Sequence, residues 1–259
     1  MQKDFHYYMA YALALKAGIQ KDVARCIAWS NQFTDECTNP ELYGIRTQCG
    51  REGLWLDRTV QQDVIIPFHF LPGGVGDNPW VVRAESDIIA LLLSGCGNNP
   101  YSFGIALHSI QDTYSHQGWT GWQEKHNACY WFSLLPIPMP NIGHTDMGLA
   151  PDIMNMKWTD PRTGELIDNA VRGRRATMMT WSYYERYWVD KGDEEDSIIN
   201  ELDPFWKIKD YEKRKRWLMK WADFDVRFSD IKPGRDDLNE FARAARRQLS
   251  IVMNYISQF

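Results

Sequence analysis

The chain has 259 residues, 44% of them hydrophobic, and a formal net charge of −5. This length suits one large domain or two small ones with a substantial core. The negative charge disfavours a protein that binds nucleic acid mainly through electrostatic attraction. The basic runs at 172–175 and 213–216 are typical of solvent-exposed helix faces.

The five cysteines are odd in number and form no CxxC pair, which favours reduced thiols in a cytoplasmic protein. Nothing in the sequence indicates a bond between Cys37 and Cys49. The first residues, MQKDFHYYMA, lack the apolar run and cleavage site of a signal peptide. No apolar stretch approaches the length of a membrane span. We therefore expect a cytoplasmic location, with export without a leader left open.

Two helices are predicted at the start of the chain. Asp4 is suited to cap a helix over 5–16, which places His6 in the first turn. A second helix is predicted over 21–33, and Asp35 follows its end on a face of small residues. Taken alone, Asp35 has the character of an ordinary loop carboxylate.

The segment 38–60 is rich in Pro and Gly and is predicted to be a loop. His69 then lies between Pro67 and Pro72 and is flanked by phenylalanines, so regular helix is not expected there. Such a histidine is either satisfied within the core or held rigidly as a metal ligand.

The segment 103–118, FGIALHSIQDTYSHQG, carries the strongest pattern in the sequence. His108, Asp112 and His116 are spaced four residues apart, a rotation of about 400° per step on a helix, so all three project from nearly one side. Two imidazoles and a carboxylate in one column indicate a metal site rather than packing. Gly104 lies one turn earlier on this side and would let another element come close.

The segment 119–166 is predicted to be irregular, and its length favours a functional loop. Its run GHTDMG is typical of a tight turn that presents His144 and Asp146 together. The sequence does not decide whether His126 or Asp152 joins them. The apolar stretch 119–139 either shapes a pocket that contacts lipid or caps the core.

The remainder of the chain is predicted to be helical, and all six histidines precede it. We therefore predict one all-α, mostly helical domain over 1–259 with long irregular loops. Residues 1–155 would carry the metal site and residues 168–259 would support it. Helices are predicted over 168–190, 194–202, 207–221 and 235–257.

The candidate ligands are five histidines and three carboxylates, without cysteine, a set that favours zinc or another borderline divalent cation. They are His6, Asp35, His69, His108, Asp112, His116, His144 and Asp146.

The run ALHSIQDTYSHQGW resembles the ALHxxxDxxxH helix of the zinc-dependent phospholipase C and S1/P1 nuclease superfamily. It is closer still to the LHxxQDFYxHSNW pattern of the Het-C-like branch. The opening DFHYY, the later PFHF and the run GHTDMGLAPD look most like an uncharacterised bacterial family with this layout. The resemblance covers about 4–155.

This resemblance implies an all-helical fold and up to three zinc ions. It would place Asp35, His69, His108 and Asp112 around one ion. Asp112 would bridge to a second ion, which His6 would also hold.

By the same resemblance, His116, His144 and Asp146 would hold the third ion. The sequence departs from the superfamily in three ways. The family's metal-binding N-terminal Trp is replaced by Met1, five residues before the first histidine. His116 follows the central Asp by four residues instead of six, and Gly148 stands where the final Glu ligand is usual. These departures bear on the number of metals.

We expect a metal-dependent phosphoesterase with a small-molecule or lipid phosphoester as substrate. Asp35 would orient or deprotonate the attacking water, in addition to or instead of binding metal. A nuclease-type phosphodiesterase is a further alternative, less favoured because the net charge is negative. A metal-stabilised binding protein without catalysis is another, and it would show a saturated ligand set. A di-iron protein is disfavoured because the paired ExxH motifs of ferritin-like bundles are missing.

Overall fold

The computed structural model describes residues 1–49, 56–129, 141–189 and 195–259. Helices dominate these ranges, and the predicted all-α class is confirmed. The main hydrophobic cluster includes residues from Phe5 to Ile256, so both ends of the chain contribute to it. The α-helices are α1 Ala10–Lys16, α2 Lys21–Phe33, α3 Pro40–Tyr43, α4 Arg58–Val60, α5 Ile66–His69, α6 Asp87–Cys96, α7 Pro100–Ser115, α8 Asn169–Tyr184, α9 Glu195–Glu201, α10 Asp203–Trp206, α11 Tyr211–Trp221 and α12 Arg235–Ile256.

The helices α2 and α7 make the most extensive helix–helix contact in the described part of the chain. Gly104 makes this approach possible, because a Cβ atom there would lie only 2.4 Å from the carbonyl oxygen of Ile27. The side chain of Asn99 caps α7 by accepting from the Ser102 amide at 2.8 Å. The close contact brings the turn after α2, which contains Asp35, beside the face of α7 that carries His108 and Asp112.

The first helix begins as a π-helical turn, Asp4–Met9, and continues into α1. The prediction that Asp4 caps this helix is wrong: it makes no capping bond and is fully buried. Its carboxylate pairs instead with Arg214, which is also buried. The predicted solvent-exposed face at 213–216 is therefore wrong for Arg214.

The helical stretch before His69 differs from the prediction. A π-helical segment, Gln61–Ile65, joins α4 to α5, and His69 is the last residue of α5. Pro67 lies within the first two positions of α5, where a missing amide hydrogen is tolerated. Regular helix therefore reaches His69 despite the flanking prolines.

The last long helix, α12, fixes the position of α5 against α7. The buried Gln248 side chain donates to the carbonyl of Pro67 at 2.9 Å and to the hydroxyl of Ser109 at 2.7 Å. Ser109 in turn donates to the carbonyl of Phe68 at 2.8 Å. The C-terminal part of the chain thus holds the backbone next to His69.

The segment 119–166 is irregular where it is described, apart from 3₁₀ turns at Lys125–Asn127 and Thr145–Met147 and one strand. That strand, β1 Lys157–Thr159, pairs antiparallel with β2 Leu166–Asp168, a hairpin that the sequence did not predict. The apolar stretch 119–139 lies partly outside the described residues. Its first residue, Trp119, is fully buried beneath the guanidinium of Arg162 and caps the core.

Each of the five cysteines is a free thiol, so Cys37 and Cys49 are not bonded to each other. No helix in the described part of the chain has the length and apolarity needed to cross a lipid bilayer.

Candidate metal centre

Seven of the eight predicted ligands converge at one end of α7. Together with Asp152 they form three groups, and the donor atoms within each group lie no more than 4.8 Å from one another. Neighbouring groups are connected, because they share a residue or contact the same amino group. The groups are His6, His108 and Asp112; Asp35, His69 and His108; and His116, His144 and Asp152.

The group nearest the junction of α2, α5 and α7 has tetrahedral spacing. His69 Nδ1 and His108 Nε2 lie 3.2 Å apart, and each lies 3.3 Å from Asp112 Oδ2. Asp35 Oδ1 lies 3.8 Å from the first nitrogen and 3.6 Å from the second. Donor atoms of a tetrahedral zinc site with bonds of about 2.0–2.1 Å are roughly 3.3 Å apart. His69, His108 and Asp112 therefore have the spacing of ligands to one such ion, and Asp35 lies slightly farther from the two nitrogens.

The second oxygen of the central carboxylate faces a separate set of donors. Asp112 Oδ1 lies 3.2 Å from His6 Nε2 and 2.6 Å from the amino nitrogen of Met1. The His6 ring stacks on His108 with ring centroids 4.1 Å apart. The two oxygens of Asp112 therefore face two different donor groups, which is the arrangement of a carboxylate that can bridge two metal ions.

The third group is built around Asp152. Its Oδ1 lies 3.2 Å from His116 Nε2, and its Oδ2 lies 3.4 Å from His144 Nε2. The Met1 amino nitrogen is 3.3 Å from Asp152 Oδ1, which connects this group to the previous one. The side chain of Asp152 is 16% exposed, so this group is less enclosed than the one around Asp112.

Asp146 lies outside these groups. Its Oδ2 accepts from the backbone amide of Cys129 at 3.0 Å, which directs the carboxylate into the loop instead of the cluster. Asp152, which the sequence left unassigned, stands in the position expected for Asp146. His126 is remote from the cluster, with its Nε2 donating to the carbonyl of Gly118 at 3.0 Å.

Four of the five histidines are oriented by hydrogen bonds through the ring nitrogen opposite the one that lies nearest a carboxylate. Because an amide or peptide oxygen only accepts, the bonded nitrogen must donate, and the other nitrogen is left with its lone pair toward the cluster. The acceptors are Gln111 Oε1 for His6 (3.0 Å), the Thr47 carbonyl for His69 (2.8 Å), the His69 carbonyl for His116 (2.7 Å) and the Gly148 carbonyl for His144 (2.9 Å).

Two buried ring nitrogens have no hydrogen-bond partner in the described part of the chain. They are His6 Nε2 and His108 Nδ1. Unpartnered buried nitrogens are unfavourable in a protein interior unless a cation or water satisfies them. Together with the oriented imidazoles, His6 Nε2, which lies 3.2 Å from Asp112 Oδ1, indicates that the residues present fit bound divalent cations. His108 Nδ1 is the nitrogen opposite the one that faces the donor group and does not bear on this fit.

The carboxylates are held in their ionised form. Burial opposes ionisation of Asp112, but the Met1 amino group and the neighbouring imidazoles lower its pKa well below the usual value. For Asp152, burial is likewise outweighed by His144 and the Met1 amino group, and its pKa is lowered. The two carboxylates in turn outweigh burial and raise the pKa of the Met1 amino group to about 11.

Two of the imidazoles are held neutral. Burial and the adjacent His6 lower the pKa of His108 to about 4, and burial lowers the pKa of His144. His69 differs, because Cys49 and nearby carboxylates outweigh burial and raise its pKa. Ionised carboxylates and neutral imidazoles are the forms in which these side chains bind metals, so His69 would have to release a proton when a cation binds.

The cluster opens into a pocket of about 450 Å³. Asp35, whose side chain is 32% exposed, lies in its wall beside the more buried ligands. The apolar part of the wall consists of Ile65, Phe70, Ile142 and Leu149. A small molecule in this pocket would contact ligands of all three donor groups.

Fold and site together define an all-α protein with a histidine–carboxylate centre suited to divalent cations. The chain belongs to a family of unknown function (DUF6765), whose model matches residues 1–256. No curated protein and no solved structure matches the chain. The likeness to the phospholipase C superfamily therefore depends on the ligand pattern.

Proposed function

We propose that this protein is a phosphoesterase that depends on zinc or a similar divalent cation. The observation that carries the proposal is that His69, His108 and Asp112 converge at the base of an open pocket, with Asp35 in its wall 3.6–3.8 Å from the two ring nitrogens. Three protein ligands leave the fourth tetrahedral position to a water, as catalytic zinc sites do, and Asp35 lies beside that position. The ordered ligand pattern, which resembles that of the zinc-dependent phospholipases C and S1/P1 nucleases, supports it.

Bound zinc supplies a water of lowered pKa and neutralises the charge on phosphate oxygens. Asp35 is the ligand-set carboxylate with the greatest exposure to the pocket, 32% against 2% for Asp112 and 16% for Asp152. It is therefore positioned to orient a water molecule entering from the pocket and to accept its proton.

The pocket wall supports a substrate with an apolar portion, such as a phospholipid. Phe70 stacks on His116 with ring centroids 4.3 Å apart, which places an apolar surface directly beside a ligand imidazole. Leu149 at the pocket is 65% exposed. The described lining residues include no Lys or Arg, and this disfavours a polynucleotide.

The second candidate is a metal-stabilised binding protein without catalysis. It is favoured by the complete burial of His6 and His108, because closed sites are typical of structural zinc. The free cysteines support a reducing compartment for either candidate, and we propose the cytoplasm.

The test combines metal analysis with a substrate screen. Purified protein is analysed for bound metals and assayed with a phosphodiester, a phosphomonoester and a short-chain phospholipid. We expect two or more zinc-like ions per chain and hydrolysis of at least one substrate. Asp35→Asn should lower turnover by about 10²–10⁴-fold, the usual loss when a general base is removed.

Glu36→Gln is the matched control, since Glu36 adjoins Asp35 and is similarly exposed at 37% but pairs with Lys3. It should retain wild-type turnover. Metal-loaded protein inactive on all three substrates would favour the binding protein. Native protein that takes up no divalent cation would refute both candidates.

A further inference from the structure

Arg214 is an arginine buried in the C-terminal half of the chain, with 2% of its surface exposed. Its Nε donates to Asp4 Oδ2 at 2.5 Å. Its Nη1 donates to the side-chain oxygen of Asn155 at 3.4 Å and to the carbonyls of Ile208 at 3.3 Å and Lys209 at 2.9 Å. One guanidinium therefore joins three segments that are far apart in sequence.

Two of these segments carry ligands of the metal centre. Asp4 lies two residues before His6 on the same π-helical turn. Asn155 lies three residues after Asp152 in the irregular loop. Asn155 also donates to the carbonyl of Ile208 at 3.1 Å, which adds a second tie between the loop and the start of α11.

We infer that Arg214 is a positioning residue for the metal centre, an inference that rests on the proposed metal binding. It fixes the segment with His6 and the segment with Asp152 relative to each other, so that both ligands face the space between them. It lies outside the three donor groups and acts only through Asp4 and Asn155.

The residue type suits this task. The planar guanidinium offers several donors in a fixed arrangement, whereas a lysine ammonium is a compact charge on a flexible stem. Arg214 uses this to bind a carboxylate, an amide oxygen and two peptide carbonyls at once. Asp4 is fully buried, and its Oδ1 has no hydrogen-bond partner in the described part of the chain. Its ion pair with Arg214 therefore offsets part of the cost of burying that charge.

The test removes the ion pair without leaving a lone buried charge. The double variant Asp4→Leu with Arg214→Met replaces both partners by apolar side chains, a change that buried pairs often tolerate. The control double variant, Arg174→Met with Asp203→Leu, removes a more exposed pair from the same half of the chain, with atoms 2.7 Å apart. Affinities for Zn²⁺ and Co²⁺ are measured by competition with a chelator, and the visible absorption of the Co²⁺ form is recorded.

The double variant should melt within about 4 °C of the wild type when both are metal-free. The ions that depend on His6 and Asp152 should lose about 10–100-fold in affinity, the usual effect of disturbing a ligand's support. The ion held by Asp35 and His69 should remain, because the turn after α2 and helix α5 carry those ligands. The Co²⁺ spectrum should lose only part of its intensity, a change that a loss of general stability does not produce.

If the double variant fails to fold, the single variant Asn155→Ala replaces it as the test. This variant removes only the hydrogen bonds that join the loop to Arg214 and to the carbonyl of Ile208. It should weaken the ion at His116, His144 and Asp152 and leave the others unchanged. If the wild type binds metal and the folded variants have the same affinities and spectra as the wild type, the role of Arg214 is refuted and the metal centre is not. A wild type that binds neither Zn²⁺ nor Co²⁺ would overturn the proposed metal centre as well.

Discussion

Replacing Gly104 by alanine tests the helix contact that brings Asp35 to the metal centre. An added Cβ would lie 2.4 Å from the carbonyl oxygen of Ile27 and 2.8 Å from Cβ of Ser30. Since Cβ contacts below 3.0 Å essentially do not occur, α2 and α7 must separate by about 0.6 Å at this point. Overpacking of this kind costs about 1–3 kcal/mol, against a helix-propensity gain of about 0.5–1 kcal/mol. We expect a net loss of about 1–2 kcal/mol in the free energy of unfolding.

The assay is urea unfolding of the metal-free protein, followed by circular dichroism, with an unchanged slope as evidence that only stability has changed. Gly95→Ala in α6 is the control, because its Cβ would meet at 2.6 Å only the terminal methyl of the flexible Ile251 side chain. That control should be neutral or stabilising. If Gly104→Ala proves as stable as Gly95→Ala, the proposed close approach of α2 to α7 is refuted. A separated contact should also weaken metal binding by Asp35, which lies 3.6 Å from His108 Nε2.

Three further outcomes are expected. Wild-type protein is first kept with free metal at a hundredfold excess over its Kd, and the metal is then removed with a chelator. The free energy of unfolding should fall by about 2.7 kcal/mol. His108→Ala should abolish most of that difference, and an undiminished effect would argue against this centre. Gln111→Leu removes the acceptor of a ligand imidazole and should weaken metal binding about 10–100-fold, whereas the exposed Gln117→Leu should not. Asp152→Asn should release one equivalent of metal and Asp146→Asn none; the opposite result in metal analysis would reverse their assignment.

The sequence predicted the parts of the centre that depend on helix periodicity. His108, Asp112 and His116 face the same site because their spacing matches the period of α7, although His116 is already the residue that ends the helix. The bounds of α2 at Lys21–Phe33 were also as predicted, and this fixed the place of Asp35. Regular backbone geometry carries such information over short distances along the chain.

The loop ligand could not be predicted in this way. Between His144 and Asp152 the backbone passes through a 3₁₀ turn and further turns, so no fixed period relates residue number to direction. Closeness in sequence to His144 favours Asp146 as the ligand, but the carboxylate of Asp146 accepts a hydrogen bond from the Cys129 amide instead. The sequence feature that could have identified Asp152 is the run GLAPD, which places a second carboxylate after Asp146 in the same loop.

Long-range pairing was equally hidden from the sequence. Asp4 has the features of a helix cap, and only the fold reveals that its partner is Arg214, 210 residues later. The π-helical segment Gln61–Ile65 likewise permits helix up to His69, against the tendency of the flanking prolines. Both errors arose from local rules that tertiary contacts override.

The charge balance of the centre implies that metal binding and the final ordering of the fold are coupled. Asp112 and Asp152 are ionised and largely buried, and the Met1 amino group is the full positive charge in direct contact with both. These contacts lower the pKa of both carboxylates, so the metal-free cluster keeps them ionised and able to bind cations. The binding energy of divalent cations would then add to the stability of the fold. The segments with His6 and Asp152 join the centre through contacts distant in sequence, so they should be the first to loosen when metal is withdrawn. Hydrogen exchange at these two segments, compared with α7, would show whether loosening follows this order.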